Sequence, residues 1–132
     1  METIIFIDTG NPLKVKFVVK NGVIAVAYTI NLYHEKSNTP IATYKGDNKD
    51  PNDDTFLLPV PTDENGKLVI ELIADFRGVD LALSKQFNMG FEVYQGNILL
   101  KYIYKEGSLE AVDQSVTLYA QLLMSQLLKQ FA

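Results

Sequence analysis

Apolar side chains recur at every other residue, and this feature most limits what the chain can fold into. In Leu13-Lys14-Val15-Lys16-Phe17-Val18-Val19-Lys20, one side holds Leu13, Val15, Phe17 and Val19, and the other holds mostly lysine. A period of two belongs to a strand with one buried side, because successive side chains of extended backbone point to opposite faces. The rhythm returns in Leu68, Ile70, Leu72, Ala74 and Phe76, and again in Phe87, Met89, Phe91 and Val93. It continues in Ile98, Leu100, Tyr102 and Tyr104, opposed by Lys101 and Lys105. Val23 to Tyr33 starts apolar on both faces, which predicts a strand inside its sheet rather than at an edge. Ile41 to Lys45 reads as a further short strand.

Glycine-bearing corners separate these runs. Asn21 and Gly22 both tolerate the positive φ of a type I′ turn and predict a hairpin joining 13–20 to 23–33. Asn65-Gly66 is a second tight-turn signal, and Gln95-Gly96-Asn97 closes a hairpin between the runs at 87–94 and 98–104. Gly78 to Lys85 reads as a loop or one helical turn.

Two periods compete at the C-terminus. Val116, Leu118, Ala120 and Leu122 alternate with Thr117, Tyr119 and Gln121. Val112, Val116, Tyr119, Leu123, Leu127 and Phe131 also fall at helical spacings, with Ser108 placed to cap a helix. Residues 116–119 carry β-favouring types, whereas Leu122 to Lys129 is rich in helix formers. The reading is a strand near 115–123 followed by a short helical or frayed tail; its competitor is one helix from 109 to 130. Together the elements make eight or nine short strands with no βαβ alternation. The expected fold is all-β: a single antiparallel β-sandwich over 1–132, whose rhythm resembles immunoglobulin-like or C2-like sandwiches.

Composition narrows the function classes. The 132 residues include 12 basic and 16 acidic ones, a net charge of −4, so no concentrated positive surface invites nucleic acid. Zero cysteines remove disulfides, thiolate metal sites and cysteine nucleophiles, and a lone histidine excludes a two-histidine zinc site. A chain of this length hides roughly two-thirds of the surface it exposes when unfolded, enough to fold without staples. Met1 to Asp8 lacks the basic start of a signal peptide. Val23 to Ala27, among the longest apolar stretches, falls far short of the roughly 20 residues of a membrane span. The expected location is therefore the cytoplasm, with no membrane partner.

Gly46 to Glu64 carries six acidic residues against Lys49, a net of −5, so the rest of the chain sums to +1. Pro51, Pro59 and Pro61 bracket Phe56-Leu57-Leu58, which reads as a short edge strand within a long loop pinned by Phe56 and Leu58. Asp50, Asn52 and Asp54 have the D-x-N-x-D spacing of calcium loops, with Asp47 near enough to help. The pattern departs from an EF-hand loop at Thr55, where glycine is expected, and at Pro61, where a bidentate glutamate is expected. Asp80 and Asp113 are the candidates for a second, C2-type loop. The same residue types also simply make turns and keep a loop solvated.

Other chemistry is sparse. His34 with Ser37 lacks an orienting carboxylate, since Glu35 points to the opposite face of a strand, and His34 reads as a strand-end surface residue. Glu71 and Glu92 could oppose each other as a glycosidase pair, but a short chain without tryptophan offers little sugar cleft. Tyr94, Tyr102, Tyr104 and Tyr119 gather in the last three strands as a candidate contact surface. The expected function is a non-catalytic, cofactor-free module that binds a protein partner or a second copy of itself. The alternative is a calcium-dependent binding domain using Asp47, Asp50, Asn52 and Asp54.

Overall fold

The computed structural model describes residues 1–7, 11–19, 26–47, 55–59, 67–82 and 86–125. Among the described residues are nine strands: β1 (Glu2–Phe6), β2 (Leu13–Val19), β3 (Val26–His34), β4 (Ala42–Asp47), β5 (Thr55–Leu57), β6 (Lys67–Phe76), β7 (Gln86–Gln95), β8 (Ile98–Ser108) and β9 (Gln114–Met124). They form a first sheet ordered β1-β9-β6-β3-β4 and a second ordered β5-β2-β7-β8. The sheets pack face to face as a β-sandwich. Pairings are antiparallel except for β1, which lies parallel to β9.

The faces marked by alternation are the ones that meet. Leu68, Ile70, Leu72, Ala74 and Phe76 of β6 are buried against Leu13, Val15 and Phe17 of β2 and Phe87, Met89, Phe91 and Val93 of β7, in one continuous core. Side chains of this size each gain roughly 1.5–3 kcal/mol from full burial, which makes a one-residue slip in any strand costly. Aromatic contacts bridge the two sheets: Phe17 stacks on Tyr28 at 4.0 Å, Phe76 meets Phe87 at 5.6 Å, and Tyr44 meets Phe56 at 5.1 Å.

Two sequence expectations are corrected, the hairpin at Asn21-Gly22 and the inward face of β8. Asn21-Gly22 does not close a hairpin between β2 and β3: β2 pairs with β5 and β7, and β3 with β4 and β6. The chain crosses from one sheet to the other there, through residues outside the described ones. Alternation tells which face of a strand is buried, whereas its hydrogen-bonding neighbour depends on which edge is available. The strand expected near 115–123 is present as β9, and its Val116, Ala120, Leu122 and Met124 fit the core at period two, which excludes the competing helix over these residues. The expected tail beyond it lies outside the described residues. In β8 the inward position falls on Ile103, cross-strand from the buried Phe91, so Tyr102 and Tyr104 face out. A bulge between Val93 and Tyr94 shifts the register of the hairpin end. Finally, β1 pairs along its whole length with β9, although its adjacent Ile4 and Ile5 give no alternating signal.

The β7–β8 hairpin forms as expected. Gln95 pairs with Ile98 across Gly96-Asn97, and Gly96 has φ +59° while Asn97 does not take a positive φ, the signature of a type II′ turn. β5 is the short edge strand expected between the prolines, and Leu58 is buried beside it. Among the described residues there is no helix long and apolar enough to cross a membrane.

Candidate functional site

The first sheet turns its polar face outward, and its registers line up Thr43, Asn31, Glu71 and Tyr119 as direct neighbours on β4, β3, β6 and β9. Directly opposed residues hold their Cβ atoms about 5 Å apart, close enough for short polar side chains to bond. Thr43 Oγ1 donates to Asn31 Oδ1 at 2.8 Å, and Asn31 Nδ2 donates to Glu71 Oε1 at 3.0 Å. Tyr33, two residues along β3, donates its phenol to the same Oε1 at 3.2 Å. The Tyr119 phenol is pushed above its ordinary value first by its hydrogen bond to Glu71, then by that carboxylate's charge, with burial following. Burial raises Tyr33 most, and the charge and hydrogen bond of Glu71 add to it. Asn31 is only 9% exposed although it lies on the outer face, because this row closes around it.

A depression of about 310 Å³ opens beside the row, bordered by Tyr33, Glu71, Tyr119, Val69, His34 and Lys36. His34 ends β3 as expected, but its Nδ1 is shielded from solvent with no hydrogen-bond partner. The chain reverses just beyond it: Ser37 N–H donates to the His34 carbonyl at 3.1 Å, and Lys36 takes φ +69°, the left-handed conformation of a type II turn. Ser37 Oγ donates instead to the Thr39 carbonyl at 3.3 Å, so His34 and Ser37 do not form a nucleophilic pair. Glu35 reaches Lys67 at 3.9 Å on the surface.

The other sequence candidates are dispersed. Glu71 and Glu92 lie on the outer faces of different sheets, with the core between them, so they cannot share a substrate. Tyr94 and Tyr102 lie on the outer face of the second sheet with Tyr104, whereas Tyr119 belongs to the first, which divides the expected tyrosine cluster. Tyr102 and Tyr104 stack at 5.3 Å, and Tyr94 donates to Glu92 at 3.0 Å. Of the acidic loop, Asp47 ends β4 in an exposed position, and Asp50, Asn52 and Asp54 lie outside the described residues. Asp80 accepts from Ala82 N–H at 3.1 Å and Asp113 from Gly78 N–H at 3.0 Å, each bracing a loop. Among the described residues no group of three or more His, Asp or Glu could hold a metal ion.

A different surface was not visible in the sequence. Where β1 meets the tip of the β7–β8 hairpin, Ile5 is 59% exposed, Ile7 36% and Ile98 70%. With Phe6, Leu100, Asn11 and Gln95 these isoleucines border a depression of about 380 Å³, and none of these described lining residues is charged. The signal for it was adjacent apolar residues on both faces of a strand at Ile4-Ile5 and Ile98-Leu99, read without knowledge of which were edges. Comparison with known protein families, curated proteins and solved structures gives no match.

Proposed function

We propose that this protein is a non-catalytic interaction module that self-associates through the end of the sandwich where β1 meets the β7–β8 hairpin. The observation that supports this reading is the exposed cluster of Ile5, Ile7 and Ile98 around a depression whose described lining residues are uncharged. Grouped apolar side chains on a surface favour association. Among the described residues lining the depression none carries a charge that would repel a second copy of this acidic chain, and soluble homo-oligomers most often form by such two-fold self-contact.

Packing of side chains fits this association better than strand addition. β8 is an 11-residue edge strand, but Lys101 and Lys105 lie on the side of Ile103, and Lys101 pairs with Glu2 at 3.6 Å. Lysines on the inward side of an edge strand obstruct a further strand. Sedimentation over a concentration series tests the reading. The native protein should associate reversibly, and Ile5→Lys/Ile98→Lys should remain monomeric without loss of folding. A strict monomer up to millimolar concentration, or unchanged association of the double variant, overturns it. Calcium binding by 47–54 is the competing role, and thermal melts with calcium and with chelator would reveal it as a gain of stability.

A further inference from the structure

Among the described residues, the side chains that hydrogen-bond Glu71 are neutral donors. Asn31 and Tyr33 bond Oε1 at 3.0 and 3.2 Å, and Tyr119 lies directly across from Glu71 on β9. The ion pairs Lys67–Glu35 and Lys101–Glu2 leave it out. A carboxylate offers about four lone-pair positions, so the two donors on Oε1 leave room for a further partner. Neutral donors orient the group without cancelling its charge, and a partly shielded carboxylate gains most from a cation brought to it. The depression of about 310 Å³ opens beside Glu71, with Tyr33 and Tyr119 also among its lining residues. Aromatic faces carry negative potential and attract cations.

We propose that this depression binds an alkylammonium group, with Glu71 as its counter-ion and Tyr33 and Tyr119 as aromatic walls. A hard metal ion suits the site less well. It requires several oxygens turned toward one point, whereas Asn31 turns its N–H groups toward Glu71 and its oxygen toward Thr43. The volume is at the small end of ligand pockets, matching the head of a quaternary amine or the end of a lysine side chain. Lys36 on the rim sets a like charge against a second positive group, so monocations are favoured over diamines. The site borders Met1, at the opposite end of β1 from Ile7, and the proposal does not rest on self-association.

Titration of the tyrosine ring resonances tests it. The probes are choline, a lysine blocked at both termini, and the neutral isostere of choline in which carbon replaces nitrogen, each against sodium chloride at matched ionic strength. Choline or the blocked lysine should give saturable shifts at Tyr33 and Tyr119 but not at Tyr104, at least about tenfold tighter than the isostere. Saturation by choline alone assigns a free quaternary amine, and saturation by the lysine assigns a protein side chain; either supports the site. Glu71→Gln should weaken binding by about tenfold, while Tyr119→Phe, which keeps the ring, should change it by less than about threefold. Equal binding of the isostere, no saturation by either cation, or unchanged binding in Glu71→Gln overturns the proposal. The comparison with the isostere needs no substitution, so a Glu71→Gln variant that failed to fold would leave that arm intact.

Discussion

Gly90 faces outward in the middle of β7, opposite Tyr104 on β8. A Cβ there would collide with the Ile103 carbonyl oxygen and lie 2.7 Å from Tyr104 Cα, both of them backbone atoms that cannot rotate away. Gly90→Ala should therefore destabilise the protein by about 3 kcal/mol, since overpacking against backbone must push β8 outward. Denaturant titration checks this; a midpoint close to native would mean that the edge strand yields freely. The glycine looked unremarkable in the sequence, one polar-side position among several, because close approach of a neighbouring strand leaves no mark on the residue itself. Glu71 is similar. Its residue type and its outward face were legible, but its bonds to Asn31 and Tyr33 and its place opposite Tyr119 depend on strand registers that no local pattern encodes.

At the scale of elements, β1 is the strand whose anchoring is least local. Its five residues lie parallel to β9, and the Ser125 N–H continues the ladder to the Phe6 carbonyl at 2.8 Å. Beyond the strand, the buried Gln95 of the second sheet clamps Ile7: its Nε2 donates to the Ile7 carbonyl, and its Oε1 accepts from the Ile7 N–H at 3.2 Å. A side-chain amide thus gives an edge residue the donor and acceptor that another strand would have supplied. Gln95→Leu leaves both backbone groups without these partners and should cost about 1–3 kcal/mol. Amide exchange should accelerate more in Ile4 to Ile7 than in β6, the central strand of the same sheet. Equal acceleration in both would show that β1 opens only with global unfolding.

Over the whole molecule, the phenols respond together to alkali. Burial is the largest cause holding Tyr33, Tyr44, Tyr94 and Tyr102 above the ordinary value of 10.0, and the hydrogen bond to Glu71 is the largest for Tyr119. Above pH 10 the unfolded chain sheds these protons before the folded one does. The unfolded state then binds fewer protons, so stability is fully present below pH 10 and falls as pH rises through the folded values. Denaturation midpoints measured from about pH 8 to pH 11 should stay level and then drop. The drop should be shallower in Tyr33→Phe/Tyr119→Phe, which removes two of the shifted groups; an equal slope would show that the Glu71 row does not contribute.

The residue order alone determined that this chain makes strands, which face of most of them is buried, and therefore that two sheets must close on one apolar layer. Those properties follow from the two-residue repeat of extended backbone, which any short segment displays. Tertiary structure decided the rest. It chose sheet crossing over a hairpin after Val19, settled Gln114 to Met124 as a strand, turned Tyr102 and Tyr104 outward, and placed Glu71 between two tyrosines. Each of these is a pairing between segments far apart in the chain, selected by whether the whole core fills, and competing local patterns are nearly equal in free energy until the remaining strands are in place.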